Sequence, residues 1–224
     1  MTSAAAASCL TGTGWEDAKT VPMAQDASAR RYHRLLRPDG ATAILCQDPS
    51  DESRTAFVKL SSHLISLGLS APKVILADAN TGQLLLEDLG NLTFPHLLAE
   101  CPNRENSLYS AAIDALLVVS SAPPPDIEPF EIDEMAEQAM LAFDLYGGPA
   151  PAGFQLALSE MLTAHVGPAE SLMLRDVHAD NLMWLPNRSG PAQVGLLDFQ
   201  DARLAQPLYD IVSLIEDARR DVGR

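Results

Sequence analysis

Two short stretches of this chain, LRDVHADNL at residues 174–182 and LLDFQD at residues 196–201, indicate both its fold and its chemistry. The first places charged and polar groups in a loop between a predicted helix and a predicted hairpin, with Asp176 and Asn181 separated by four residues. The second is an apolar strand that presents Asp198 at its end, which is a rigid way to hold a metal ligand. Because the intervening hairpin folds the two stretches back on each other, we expect the three side chains to converge.

These three side chains are the set that phosphoryl transfer requires. One carboxylate must orient an acceptor hydroxyl and take its proton, while a second carboxylate and an amide oxygen hold Mg²⁺ against nucleotide phosphates. Asp176 suits the first role, and Asn181 and Asp198 suit the second. Asp and Asn also favour loops, where they cap turns, and this is the alternative interpretation of each residue taken singly.

The first third of the chain is predicted to form strands around one helix. Residues 31–37 and 41–47 flank a Pro-Asp-Gly turn and predict a hairpin, and residues 73–77 and 83–87 predict a second. Between them, apolar residues at helical spacing predict a helix over residues 57–67, ended by the glycine that follows. Two strands, a helix and two more strands make a small α+β lobe.

The middle of the chain is predicted to be helical. Apolar stripes indicate helices around residues 108–119, 135–143 and 154–162, and we expect the Met and Phe stripes of the last two to lie in the core. Short apolar runs at residues 182–185 and 193–197 then predict the hairpin that links the two polar stretches.

The charge of the chain argues against one class of partner. The sequence has 15 Lys and Arg against 30 Asp and Glu, a formal net charge of −15 at pH 7. A nucleic-acid backbone needs clustered Lys and Arg to neutralise it, so we predict no nucleic-acid partner. A nucleotide needs only a few well-placed groups and is not excluded.

The chain is predicted to be cytoplasmic, with no membrane partner. No apolar run approaches the roughly 20 residues needed to cross a bilayer, and the alanine-rich N-terminus lacks the basic region and long apolar stretch of a signal peptide. The three cysteines lie far apart and form no C-x-x-C pair. This pattern is typical of thiols in a reducing compartment.

Asp176-x-x-x-x-Asn181, the hairpin and Asp198-Phe199 together resemble the catalytic and metal-binding loops of protein kinases and aminoglycoside phosphotransferases. The sequence is most similar to the bacterial anomeric sugar kinases that phosphorylate N-acetylmuramate and N-acetylglucosamine in cell-wall recycling. Five motifs in the same order carry this resemblance: DASARRY at residues 26–32, LLEDLG at 85–90, RDVH to NLM at 175–183, LDFQDA at 197–202, and YD to SL at 209–214.

The resemblance implies a protein-kinase-like α+β fold of two lobes with ATP and Mg²⁺ between them. Residues 1–90 would form an antiparallel-sheet N-lobe that binds the nucleotide, and residues 91–224 a helical C-lobe with the catalytic and metal loops. Glu87, Asp88 and Leu89 would be the hinge, whose backbone groups bind adenine.

The resemblance also implies roles near the phosphates. A turn of the first hairpin at residues 26–31 would cover the phosphates, with Ser28, Arg30 and Arg31 among its binding residues. Asp210 would be structural and would brace the catalytic loop from the helix below.

Two departures from the kinase pattern are visible. The strand at residues 41–47 lacks the lysine that grips the α- and β-phosphates in protein kinases, and no G-x-G-x-x-G loop is present. Arg30 or Arg31 is a candidate for the missing positive charge. A last helix is predicted over Tyr209–Arg219, close to where the sequence stops, so we expect an incomplete C-lobe.

The preferred acceptor is the anomeric hydroxyl of an N-acetyl amino sugar, and this preference comes from the resemblance alone. The enzyme alternative is a small-molecule kinase for an aminoglycoside or choline-type acceptor, since an acidic protein attracts cations. The alternative from another class is a non-catalytic nucleotide-binding pseudokinase, which the absent strand lysine favours. The oligomeric state stays open.

Overall fold

An antiparallel sheet forms the first part of the protein in this computed structural model, which describes residues 9–23, 29–217, 219–220 and 222. The sheet order is β1-β2-β3-β5-β4. Its strands are β1 (Lys19–Pro22), β2 (Arg31–Leu36), β3 (Thr42–Gln47), β4 (Val74–Asp78) and β5 (Gln83–Glu87). Both predicted hairpins, β2–β3 and β4–β5, are confirmed.

Strand β1 was not predicted from the sequence. It has four residues, includes Lys19 and Pro22, and pairs only with β2 at the edge of the sheet. Short edge strands tolerate proline and charge because one side of the strand needs no partner, so they lack the apolar alternation by which longer strands are recognised.

Helix α1 (Asp51–Ser66) crosses between β3 and β4. Its first turn is capped by Ser50, whose side chain accepts a hydrogen bond from the Ser53 backbone N–H. Gly68 follows its end with φ +78°, a left-handed conformation that suits glycine. The helix is confirmed, and it buries Leu60 and Leu64 against the main core.

The main core lies under the sheet, where helices meet two small two-stranded sheets. The helices are α2 (Phe94–Glu100), α3 (Glu105–Ser121), α4 (Ile132–Tyr146), α5 (Phe154–His165) and α6 (Tyr209–Ile215), and the strands are β6 (Ser171–Met173), β7 (Leu182–Trp184), β8 (Val194–Leu196) and β9 (Arg203–Ala205). Strand β6 pairs with β9, and β7 pairs with β8 as predicted. Helix α3 contributes six buried side chains and occupies the centre of this core.

The predicted core position of the Met and Phe stripes is wrong for α5, and for most of α4. No residue of α5 is buried, and α4 buries only Ala136. The two helices pack on each other, with the Phe143 and Phe154 rings 4.9 Å apart, while Leu145 and Met161 stay exposed. Periodicity identifies the apolar face of a helix but does not tell how much of the protein covers it.

The last helix is shorter than predicted, because α6 ends at Ile215 and not at Arg219. The β6–β9 pair was not predicted either, since its strands have three residues each.

Among the helices of the described ranges, none is long and apolar enough to cross a membrane.

Candidate active site

The hairpin β7–β8 brings the two predicted metal ligands together. Its register pairs Leu182 with Leu196, and the Leu197 backbone N–H donates to the Asn181 carbonyl at 3.0 Å. Asn181 and Asp198 therefore emerge at the same end of the hairpin, one on each strand. Both line a cavity of about 370 Å³ between the sheet and the helical part.

The chemistry of this pair fits a magnesium ion. Both of these hydrogen bonds of the Asn181 side chain use Nδ2, to the Asp176 carbonyl at 3.0 Å and to His178 Nε2 at 3.1 Å, so Oδ1 is the side-chain atom that could bind a cation. No group of three or more His, Cys, Asp or Glu in the described residues could hold a metal. Magnesium is commonly held by one or two protein oxygens together with substrate phosphates and water, which is the donor set available here.

Asp176 lies in the loop after β6, and that loop is held from below by α6. The buried Asp210 carboxylate accepts the Leu174 N–H at 2.7 Å and the Arg175 N–H at 2.9 Å. These contacts agree with the bracing role expected for Asp210. Because the braced residues directly precede Asp176, the α6 carboxylate positions the backbone from which Asp176 projects.

Two non-glycine residues of these loops have left-handed backbones. Arg175 has φ +79° and Asp198 has φ +56°. Such conformations are uncommon outside glycine and persist where surrounding contacts hold them. Here the Asp210 bond holds the first, and the stacking of buried Phe199 on Phe57, at 4.9 Å between ring centres, anchors the second.

The cavity has apolar walls from both parts of the fold and a polar end. Glu87, Asp88 and Leu89, the predicted hinge, all line it. Its apolar walls are formed by Ile44, Phe57 and Leu86 on the sheet side and by Met183 and Leu197 on the hairpin side. A flat heterocyclic base fits between such walls, with the polar end left for charged groups.

Sequence comparison assigns most of the chain to one family. A model described as the phosphotransferase enzyme family matches residues 19–224. The chain belongs to this family. An N-acetylmuramate/N-acetylglucosamine kinase of Caulobacter vibrioides is 35% identical over an alignment that covers 98% of this chain and 73% of that protein. A kinase of the same name from Pseudomonas aeruginosa is 28% identical, over 92% of this chain and 62% of its own length.

Solved structures share the fold of this phosphotransferase at low sequence identity. A thermostable mutant of aminoglycoside phosphotransferase APH(4)-Ia has a TM-score of 0.63 at 15% identity, over 87% of this chain and 71% of that one. A choline/ethanolamine kinase family protein from Mesorhizobium loti has a TM-score of 0.62 at 16% identity, over 96% and 68%. The predicted resemblance and the predicted protein-kinase-like, two-lobed α+β fold are confirmed.

Two side chains of the predicted hinge, Asp88 and Glu87, form ion pairs. Asp88 is paired with Arg34, whose Nε lies 2.7 Å from Oδ2. Glu87 accepts a hydrogen bond from Arg188 at 2.5 Å, and Arg188 also donates to Ser70 Oγ at 2.6 Å. Both carboxylates thus hold residues 87–88 in place through their side chains, and the Glu87 backbone N–H donates to the Lys73 carbonyl at 2.8 Å.

The predicted phosphate-binding residues fall in three different places. Arg30 lines the cavity and donates to Asp198 Oδ1 at 2.8 Å. Arg31 begins β2 with its side chain exposed and is not among the cavity-lining residues, because successive strand residues point to opposite faces. Ser28 lies outside the described residues, as do the other residues of the first half of the predicted turn, 26–28 of 26–31.

Electrostatics at the site centre on its carboxylates. Partial burial raises the pKa of Asp176 above its ordinary value and the Asp198 carboxylate raises it further, although the Asp176 side chain reaches solvent. Burial raises the pKa of Asp210 to about 6, against the two backbone N–H bonds that lower it. The cleft therefore concentrates negative charge where a cation is expected.

Sequence reasoning missed two residues of this site. Gln200 donates to Asp198 Oδ1 at 3.0 Å and to Asp201 Oδ2 at 2.9 Å, and so orients the predicted metal ligand. Asp48 is buried and forms an ion pair with Arg30. Gln200 belongs to a quoted motif, and Asp48 is a carboxylate directly after an apolar strand, which is the signal that could have identified it.

Proposed function

We propose that this phosphotransferase transfers the γ-phosphoryl group of ATP to the anomeric hydroxyl of an N-acetyl amino sugar. The observation that carries the proposal is that Asn181 and Asp198 lie together at the polar end of an apolar cavity, with the Asn181 side chain donating to the backbone carbonyl of Asp176. Residues 1–90 would act as the nucleotide lobe and residues 91–224 as the catalytic lobe. ATP and Mg²⁺ would be the cofactors.

In this proposal the adenine of ATP lies between the apolar walls, with Ile44 above it and Met183 below. Backbone groups of Glu87, Asp88 and Leu89 bind its edge. The phosphates extend to the polar end, where Arg30 provides the positive charge that the third strand lacks. Arg31 and Ser28 would contact the phosphates from the adjacent turn.

Asn181 and Asp198 would hold the metal through Oδ1 of the amide and a carboxylate oxygen. Mg²⁺ would neutralise charge on the β- and γ-phosphates. Gln200 keeps the Asp198 carboxylate turned toward the cavity. These residues fix the phosphates before transfer, which is the main contribution a protein makes to this reaction.

Asp176 would act as the base. Its carboxylate accepts the proton of the acceptor hydroxyl while the hydroxyl oxygen attacks the γ-phosphorus, and the bond from that phosphorus to the β–γ bridging oxygen breaks. ADP leaves with the bonding electron pair. The raised pKa of Asp176 makes its carboxylate a better proton acceptor than an ordinary aspartate.

The preference for an amino sugar rests on the curated relatives named N-acetylmuramate/N-acetylglucosamine kinase, which are 28–35% identical to this chain. A role in cell-wall recycling follows from that substrate. We propose a cytoplasmic location, because ATP and free sugars meet there and thiols such as Cys101 persist in a reducing compartment.

A second candidate acceptor is a cationic alcohol of the aminoglycoside or choline type. The net charge of −15 favours it, and the structural neighbours include an aminoglycoside phosphotransferase and a choline/ethanolamine kinase family protein. A pseudokinase that binds nucleotide without turnover is the remaining alternative.

The test is ADP release from Mg-ATP with N-acetylmuramate, N-acetylglucosamine or kanamycin as separate acceptors. We expect turnover with an amino sugar, and a loss of about 10²–10⁴-fold in kcat for Asp176→Asn. Asp180→Asn is the matched control, since Asp180 lies in the same loop with its side chain 56% exposed. Turnover only with kanamycin would favour the second candidate, and ATP binding without turnover would favour the pseudokinase.

A further inference from the structure

The face of the sheet that lines the cavity lacks a cation where protein kinases have one. On β3 this face carries Ile44 and then Cys46, which packs with Ile44 and Tyr32 in a small apolar cluster. Burial raises the pKa of Cys46 to about 11, so its thiol is neutral near pH 7. The third strand therefore brings no charge to the phosphates.

The register of β2 and β3 places a cation and a carboxylate just beyond this point. The strands pair Arg31 with Gln47 and Tyr32 with Cys46, so continuing the same register places Arg30 opposite Asp48. Because side chains alternate along a strand, residues 30 and 48 share the face of Tyr32 and Cys46. The guanidinium of Arg30 therefore comes from the β2 side of this pair, and its carboxylate partner, Asp48, comes from the β3 side.

The contacts of Asp48 hold the Arg30 side chain in one orientation. Asp48 Oδ2 lies 3.1 Å from Arg30 Nε and accepts the Ser53 hydroxyl at 2.7 Å. Ser53 Oγ in turn accepts from Arg30 Nη2 at 3.3 Å, and Asp48 Oδ1 accepts the Ser50 N–H at 2.9 Å. The carboxylate is 6% exposed and the guanidinium 16%, so solvent weakens this pair little.

The other end of the same guanidinium reaches the catalytic lobe. Arg30 Nη1 donates to Asp198 Oδ1 at 2.8 Å, and Nη2 lies 3.8 Å from Asp201 Oδ2. A planar guanidinium held at Nε has a fixed direction for its two terminal nitrogens. Asp48 therefore determines where the positive charge of Arg30 meets the proposed metal ligand.

We propose that Asp48 is a positioning residue for nucleotide binding, which holds Arg30 toward the phosphates and, with Ser53, replaces the helix glutamate of the kinase lysine–glutamate pair. In protein kinases the cation comes from the third strand and its carboxylate partner from the following helix. Here the cation precedes β2, the carboxylate follows β3, and α1 contributes only a hydroxyl. This proposal rests on the proposed function, because it assigns the cavity to ATP.

The test is a double-mutant cycle on the full chain, with the Kd of Mg-ATP measured by calorimetry and the KM of the amino sugar measured alongside. We expect Asp48→Asn and Arg30→Ala each to weaken Mg-ATP by about tenfold or more, with the sugar KM unchanged. The double variant should be no more than about twofold weaker than Arg30→Ala, because Asp48 acts through Arg30. Ser53→Ala, which keeps the helix cap made by its backbone N–H, should give a smaller loss that also disappears in the Arg30→Ala background.

Asp39→Asn is the matched control. Asp39 also accepts a backbone N–H two residues ahead, at 3.0 Å, and also pairs with an arginine, Arg37, at 2.8 Å, but at the opposite end of the β2–β3 hairpin. It should bind Mg-ATP as the wild type does. If Asp48→Asn and Ser53→Ala match this control, or if the losses at Asp48 and Arg30 multiply, the proposal is wrong. Absence of sugar phosphorylation with the binding pattern intact would instead count against the proposed function.

Discussion

The two sides of the cavity hold their charged groups in different ways. On the catalytic side, Asp210 grips the backbone N–H groups of Leu174 and Arg175, so the main chain itself is fixed before Asp176. On the sheet side, Arg30 is fixed by side chains, through Asp48 and Ser53. A loop that is fixed through its backbone needs particular residues at particular spacings. A positive charge on a long side chain can instead come from any strand from which that side chain reaches the polar end of the cavity.

This difference explains why one side resembles protein kinases closely and the other does not. The loop at residues 176–181 ends where β7 begins, and the β7–β8 register then brings Asn181 beside Asp198. The cation that we propose for phosphate binding, Arg30, has only to place its charge at one point, and the pairing of β2 with β3 allows it to come from the segment that precedes β2. Three predictions test whether the two sides behave as differently as this comparison requires.

The largest effect is expected from Asp210→Asn. Leu174 N–H and Arg175 N–H donate to different oxygens of Asp210, and in the amide one of those oxygens becomes an NH₂ group that faces a donor, so one of the two bonds is lost. We expect kcat to fall by about 10²-fold through displacement of Asp176, with the Kd of Mg-ATP nearly unchanged. Asp114→Asn, an exposed carboxylate on α3, is the control. If the variant lost affinity for Mg-ATP and kept its kcat, Asp210 would act on nucleotide binding and not on Asp176, and the proposed difference between the two sides would be wrong.

The next effect is expected from Gly195→Ala, at the junction of the two sides. A Cβ at Gly195 would lie 2.9 Å from Leu89 Cδ1 and 3.0 Å from Met183 Cβ, and both residues line the cavity. We expect the free energy of unfolding to fall by about 1–3 kcal/mol, measured by urea unfolding, together with weaker Mg-ATP binding.

Gly167→Ala is the matched control for this substitution. Its Cβ would meet only Gln206, whose amide nitrogen lies 3.2 Å away at the far end of a flexible side chain. We expect a change within about 0.5 kcal/mol. Equal destabilisation at both glycines would mean that the contact between hairpin and hinge is not tightly packed.

The sequence was sufficient to predict those parts of the site that depend on local spacing. The hairpins were predicted from residues within a few positions of each other, the convergence of Asn181 with Asp198 from the hairpin between them, and the family from five short motifs in a fixed order. The pairing of Arg30 with Asp48 was not, because it depends on the register between two strands, and a one-residue slip would move either side chain to the other face.

Burial was the weaker part of the sequence prediction. Helices α3 and α5 both carry apolar stripes, yet Leu108 and Leu116 of α3 are buried whereas Met161 of α5 is 51% exposed. The stripe is a property of one helix, but burial depends on what other segments lie against it. For the same reason β1 was not predicted from the sequence, because its four residues form a strand only where β2 provides a partner.

The smallest effect is expected on stability, from Asp176→Asn. Because its pKa is raised, folded Asp176 binds a proton more readily than the unfolded chain does, so its ionisation opposes folding. The wild type therefore loses stability relative to the variant as pH rises through the pKa of Asp176. We expect the variant to be more stable near pH 7 by no more than about 1 kcal/mol, since the side chain is partly solvated.

This difference should shrink as the pH is lowered through the raised pKa of Asp176 and then below the ordinary aspartate pKa of about 4, where the carboxyl is protonated in the folded and the unfolded chain alike. The measurement is urea unfolding of both proteins across that range, with Asp180→Asn again as the control, because Asp180 lies in the same loop and the variant should not gain stability at neutral pH. A variant that is less stable than the wild type at every pH would mean that Asp176 is bound by favourable contacts, as Arg30 is on the sheet side. The crowding of Asp176 by Asp198 and Asp201 favours the opposite result: the catalytic side keeps mutually repelling carboxylates in place through its backbone.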